Sequence, residues 1–199
     1  KEQLVLFLKT INENNYKVNI LGAGSNTLIR DLGVEGAVIK LGSKFSDIKL
    51  VDKETIEVGA AALDRKVSNF AKDNGISQME FLSCIPGSIG GAIIMNSGCY
   101  GSEISEILTA IKILDKNGLE REIKSNEINF FYRGSDIPNN YIILSAKLKG
   151  ISSSKKNIEK KQEELIKKKK DSQPSQIKTC GSTFKNKDNK KAWMLIKES

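Results

Sequence analysis

No histidine occurs among the 199 residues, which removes the commonest metal ligand and the side chain most often used as a general base at neutral pH. A histidine-activated serine nucleophile is thereby excluded, and proton transfer falls to other groups or to a cofactor. Cysteine is scarce as well. Cys84, Cys99 and Cys180 are odd in number, far apart and in no C-x-x-C pair. Neither a disulfide framework nor a zinc ribbon is therefore expected, and all three read as reduced, part-buried residues. No apolar run approaches the roughly 18 to 20 residues that a bilayer span needs. The opening KEQLVLFLKTINENN reads as an amphipathic helix rather than a signal peptide, so a cytoplasmic chain without a membrane partner is the expectation.

The net charge of +8 is concentrated rather than spread. Residues 155–170, KKNIEKKQEELIKKKK, hold eight lysines and three glutamates, which is +5 of the total. Ile158, Leu165 and Ile166 share one helical face there and the lysines lie elsewhere, the pattern of a solvated helix packed on a core. No nucleic-acid-binding motif accompanies the run, so a nucleic-acid partner is not expected.

The 39% hydrophobic content suffices for a buried core. Along the chain, a helix bearing Leu4, Val5, Leu8 and Ile11 leads into the strand KVNIL and then the glycine loop GAGSN. Short strands follow at GAVIKL, IKLVD and TIEVGA, then a helix from about Leu63 to Lys72 closed by Asn74-Gly75. The stretch FLSCIPGSIGGAIIMNSGCYGSEI is too glycine-rich for an ordinary helix or central strand. ILTAIKILD and LEREIK flank Asn117-Gly118, a strong hairpin signal. A final strand, NYIILSAKL, ends near Gly150, and the serines at 152–154 mark a boundary before the lysine-rich helix. Mixed α and β structure is the expectation.

Four segments bear chemistry. In LGAGSN, Gly22, Ala23 and Gly24 let the backbone turn sharply and bring amide N–H groups close to an anion, with Ser25 and Asn26 as further donors. The segment reads as a tight turn or as a phosphate cradle. It is not the Rossmann fingerprint, because Thr27 stands where the third glycine would fall. IPGSIGGA repeats the logic with Pro86, Gly87, Ser88, Gly90 and Gly91, and two such loops in one small domain suit a dinucleotide. In FYRGS, Arg133 offers a planar, permanently charged fork for a carboxylate, against the alternative of a surface ion pair. In CGSTFKN, Ser182 is either a turn serine or an exposed hydroxyl able to give up a proton, and Lys185 and Asn186 add polar contacts for an anionic substrate.

Taken in order, LGAGSNTLIRD, GAVIKL, IPGSIGGAIIMNSGCYG, YRGS, IILSA, QP and GSTFKN resemble the motif series of the UDP-N-acetylenolpyruvoylglucosamine reductase family, over about residues 17 to 196. No single motif is decisive; seven in the right order are specific. The resemblance implies an α+β fold: a two-subdomain FAD-binding domain of the vanillyl-alcohol-oxidase (PCMH) type over residues 1–150, then the beginning of a UDP-sugar-binding α+β domain over 151–199. It implies non-covalent FAD, with the pyrophosphate on Gly22, Ala23, Gly24, Ser25 and Asn26 and the rest of the cofactor along Pro86, Gly87, Ser88, Gly90 and Gly91. It further implies NADPH as hydride donor and UDP-N-acetylglucosamine enolpyruvate as substrate, contacted by Tyr132, Lys185 and Asn186. Arg133 matches the family's charge-stabilising arginine and Ser182 its proton-donating serine.

Relative to that pattern the chain reads as truncated at both ends, without the family's N-terminal stretch and without the later segment that carries a third catalytic residue, a glutamate. Glu198 does not stand in a matching position. Cys84 replaces a glycine before the IPG, Cys99 an alanine, and Lys187 a proline.

Overall fold

The computed structural model describes residues 1–173, 183–186 and 190–199. They fall into two compact units, Lys1–Lys168 and Lys169–Ser199. Helix α1 (Glu2–Glu13) is followed by β1 (Val18–Ile20), β2 (Ala37–Ile39), β3 (Ile48–Leu50), β4 (Thr55–Gly59), α2 (Asp64–Asp73) and β5 (Ile76–Ser77). Next come α3 (Ile89–Ile94), β6 (Gly98–Cys99), β7 (Ser102–Glu103), α4 (Ile104–Ile107), β8 (Leu108–Leu114) and β9 (Glu120–Lys124). The order closes with β10 (Phe130–Phe131), β11 (Gly134–Ser135), β12 (Ile142–Lys149), β13 (Ile151–Ser152), α5 (Lys155–Ser172) and α6 (Ala192–Glu198).

The centre of the first unit is an antiparallel sheet in the order β3-β4-β12-β8-β9. Its middle strands are buried on both faces, which is why IILSAKLK and LTAIKIL are so apolar. The main core packs Ile56, Val58, Ile111, Ile113, Ala146 and Leu148 of the sheet against α2, the 3-10 turn Glu80–Cys84 and α3. A smaller cluster joins Leu8 of α1 and Ile39 of β2 to Leu114, Ile142 and Leu144. That second cluster fixes the short parallel pair β1–β2 against the sheet, and so fixes the loop that leaves β1.

The β8–β9 hairpin forms where Asn117-Gly118 stands. Gly118 adopts φ +76°, a region that favours glycine, and Asp115 Oδ1 accepts hydrogen bonds from Asn117 N at 2.9 Å and Leu119 N at 3.0 Å. The glycine-rich middle stretch departs from the sequence reading, because α3 runs through Gly90 and Gly91. Close packing explains it. A Cβ at Gly90 would stand 3.1 Å from that of Ala60, and Gly90 N donates to Ala60 O at 2.9 Å, so the short helix presses its backbone onto the end of β4.

Helix α5 buries Ile158 and Leu165 as its periodicity predicts, with Gln162 between them. Gln162 Nε2 donates to Ser68 Oγ at 2.7 Å and to Ser68 O at 3.2 Å, and Lys161 and Lys155 pair with Glu80 and Asp73. Gln162→Ala removes both of these bonds, leaving the buried Ser68 hydroxyl with Glu80 O at 3.4 Å, and is expected to cost about 1–3 kcal/mol in urea unfolding. A loss under about 0.5 kcal/mol, the range of an ordinary surface change, would contradict this packing. Among the described residues no helix is long and apolar enough to cross a membrane.

Candidate functional site

The first unit brings three of the sequence-predicted segments together. Strand β1 ends at Ile20, the N–H of the next residue, Leu21, donates to Ile39 O at 2.9 Å, and the chain then leaves as an exposed loop over Gly22–Asn26. Gly24 has φ +81°, a conformation that side chains rarely adopt. Gly22 is required for a different reason: a Cβ there would stand 2.8 Å from Ser88 Oγ and 3.9 Å from Gly91 N. The two glycine loops, more than sixty residues apart in sequence, thus come together where the Gly22 backbone faces the Ser88 hydroxyl.

The second loop is held from beneath. Ile89 N donates to Ala62 O at 3.0 Å, Asp64 N donates to Gly87 O at 3.2 Å, and Leu63 and Ser88 form an isolated antiparallel bridge. Pro86 is exposed, Gly87, Gly90 and Gly91 are half-buried, and Ser88 is buried. The glycines of the two loops lower the steric barrier to close approach of an anion to the backbone, and the exposed Ser25 and Asn26 add side-chain polar groups beside them.

The third segment arrives through the loop between β10 and β11, where Arg133 Nη2 donates to Asn26 Oδ1 at 3.5 Å. Arg133 has φ +63°, a strained value for a non-glycine residue. A polar scaffold supports it. Asn96 is buried with φ +40°, and its Nδ2 donates to Glu103 Oε2 at 2.7 Å and to Phe131 O at 3.5 Å. Ser135 Oγ donates to Ile94 O at 3.1 Å. Tyr132 is 54% exposed beside Arg133.

Two residues near this site lay outside the sequence reading. Asn96 sits in the glycine-rich stretch, where only the fold reveals its partners. Asp64 looked like an ordinary acidic residue at a helix start, yet it is fully buried and neither carboxyl oxygen has a hydrogen-bond partner. Burial pushes this carboxyl up to about 7. A Cβ on Gly87 would stand 2.6 Å from Asp64 Oδ2.

Of the remaining candidates, Ser182 lies outside the described residues. Lys185 and Asn186 belong to the second unit, where both are exposed and Asn186 Oδ1 accepts a hydrogen bond from Ala192 N at 3.1 Å. An FAD group fits the first unit: two glycine-rich loops approach each other at Gly22 and Ser88, and the Arg133 guanidinium stands beside Asn26 at their edge.

Known proteins resemble this chain in sequence and in fold. A family model for an FAD binding domain matches residues 1–124. The chain is 48% identical to the UDP-N-acetylenolpyruvoylglucosamine reductase of Pelagibacter ubique (strain HTCC1062), over 98% of this chain and 66% of that protein. It is 42% identical to the protein of the same name from Rickettsia conorii, over 93% of this chain and 62% of that one. The chain thus spans somewhat less than two thirds of the length of these relatives. The crystal structure of UDP-N-acetylenolpyruvylglucosamine reductase (MurB) from Thermus caldophilus superposes with a TM-score of 0.82 at 31% identity, covering 95% of this chain and 68% of that one. Carbon monoxide dehydrogenase from Hydrogenophaga pseudoflava, at 12% identity and a TM-score of 0.57, shares the fold alone. By sequence, by fold and by the two glycine loops that meet at Gly22, this chain belongs to the UDP-N-acetylenolpyruvoylglucosamine reductase family and carries its FAD binding domain.

Proposed function

We propose that the chain is the flavin-holding part of a cytoplasmic reductase that converts UDP-N-acetylglucosamine enolpyruvate to UDP-N-acetylmuramate with NADPH, in the making of peptidoglycan precursors. Residues 1–150 form the FAD-binding domain in this reading, and 151–199 begin the part that grips the nucleotide sugar. The end of β12 at Lys149, the last strand of the central sheet, supports that division. The observation that carries the reading is the contact of Arg133 with Asn26, which sets a permanent cation at the edge of the dinucleotide cradle.

FAD, when bound, would supply the hydride, with NADPH as the hydride donor. Gly22, Ala23, Gly24, Ser25 and Asn26 hold the pyrophosphate, and Pro86, Gly87, Ser88, Gly90 and Gly91 run along the rest of the cofactor. Hydride addition to one carbon of the enolpyruvyl double bond leaves negative charge on the other, shared with the carboxylate. Arg133 stabilises that charge. Ser182 gives a proton to the carbon beside the carboxylate, which completes the lactyl ether. Tyr132, Lys185 and Asn186 contact the substrate.

The test is an anaerobic one. Protein loaded with FAD is bleached by NADPH, and adding UDP-N-acetylglucosamine enolpyruvate is expected to restore the yellow colour and yield UDP-N-acetylmuramate by mass. Bleached flavin that is reoxidised by oxygen but not by the enolpyruvyl sugar would contradict the substrate assignment.

A further inference from the structure

The buried carboxyl of Asp64 is not used by the chemistry above. It is the first residue of α2, it is fully buried, and neither of its oxygens has a partner. Gly87 packs close against it, since a Cβ there would stand 2.6 Å from Asp64 Oδ2, and Gly87 is itself half-buried between the exposed Pro86 and the buried Ser88. The carboxyl thus lies one glycine beneath the outer face of the second loop. The backbone of Asp64 and the loop are bonded to each other through Asp64 N and Gly87 O, and the neighbouring pair Leu63 and Ser88 repeats the contact.

We propose that Asp64 is a positioning residue of the second glycine loop: neutral, it lets the loop close over the start of α2 in the form that receives the dinucleotide, and ionised, it drives the loop open to admit water. The inference rests on the reading that FAD lies along this loop.

An ionised carboxylate at this position would be a buried charge without hydrogen bonds, which costs several kcal/mol unless water reaches it. Gly87 packs directly against the carboxyl, a Cβ there standing 2.6 Å from Asp64 Oδ2, so hydration of the charge from that side displaces the loop. Burial alone raises the group to about 7, and no neighbouring charge contributes. On its own helix, Arg65 and Lys66 are exposed. In the 3-10 turn, Glu80 is engaged by Ser77 and Lys161. Glu57 of β4 is paired with Lys112. The loop Ile85–Gly91 carries no ionisable side chain, and neither does Leu21–Asn26. The chain has no histidine to titrate in the same window.

If only the neutral form is competent, apparent affinity follows the neutral fraction, which drops about tenfold between pH 6 and pH 8 for a group titrating near 7. Flavin fluorescence titrations of the full chain are expected to give a Kd about tenfold weaker at pH 8 than at pH 6. Asp64→Asn, neutral at every pH, is expected to hold the low-pH affinity across the range. A wild-type Kd that does not change, or an Asp64→Asn variant with the same pH dependence as wild type, would overturn the inference while leaving the cofactor reading intact. Absence of FAD binding at every pH would overturn both.

A second measurement covers the case in which the variant does not fold. Carbon-13 NMR of the wild-type carboxyls without flavin is expected to show one aspartate titrating near 7 in step with the amide signals of Gly87 and Ser88. A group that titrates in the ordinary carboxylate range, or one that titrates high without moving those amides, would overturn the inference.

Discussion

Gly22→Val is expected to weaken FAD binding by at least about 100-fold, roughly 3 kcal/mol, with little change in the thermal unfolding of the central sheet. The reason is steric and local. A Cβ at residue 22 would already stand 2.8 Å from Ser88 Oγ, and Ser88 is 4% exposed, so it has little room to turn away. Valine adds two further methyl groups and drives the two glycine loops apart at the place where they meet. The effect of the milder Gly22→Ala should be partly reversed by Ser88→Ala, because removing the hydroxyl opens the space that the new methyl takes. Isothermal titration with FAD at one fixed pH reads both outcomes. Binding by Gly22→Val at wild-type strength would mean that the cofactor does not lie across this junction.

The second large effect concerns Arg133. Arg133→Ala removes the cation assigned to the developing charge and is expected to slow reduction of the enolpyruvyl sugar by about 10²–10³-fold, in line with the loss of one preorganised charge stabiliser. Its backbone makes a companion prediction possible. At φ +63° an arginine sits in a region that costs a side chain roughly 1 kcal/mol and a glycine nothing. Arg133→Gly is therefore expected to unfold at the same or a higher denaturant concentration than Arg133→Ala, by up to about 1 kcal/mol, while losing turnover equally. Stopped-flow flavin reoxidation and urea unfolding separate the two readouts. If Arg133→Ala turned over at the wild-type rate, the guanidinium would have no part in the reaction.

The strain at Arg133 also shows what sequence can reveal. YRGS was legible as an arginine set beside an aromatic and a serine, but nothing in four letters gives a positive φ or the contact with Asn26. The hairpin at Asn117-Gly118 was fully legible, because its signal is local: a glycine that supplies φ +76° and an aspartate that caps the turn. Helix α1 and the apolar face of α5 were legible for the same reason, a periodicity carried by the segment itself. Where the outcome depended on a distant partner, the reading failed. Gly90 and Gly91 argued against a helix, yet α3 forms because its backbone must approach Ala60 closely. The pairing of β13 with β5 joins residues more than seventy positions apart, and neither strand is longer than two residues.

The candidate site divides along the same line. Both glycine loops were found from composition and spacing, since each announces an unusual backbone by itself. That two such loops in one small domain suit a single dinucleotide was read from the residues, but their meeting at Gly22 and Ser88 is a property of the fold. Asp64 was invisible. An acidic residue at a helix start is an ordinary feature, and only the closure of Gly87 over it turns the residue into a buried, partnerless acid.

The most direct test of the central claim, that the two glycine loops hold a flavin dinucleotide, is equilibrium titration of the chain with FAD at pH 6, followed by flavin fluorescence, with riboflavin as the control. Saturable one-to-one binding of FAD, and riboflavin bound at least about 100-fold more weakly for want of the pyrophosphate, is the predicted result. Equal affinity for the two, or none for FAD, would contradict it.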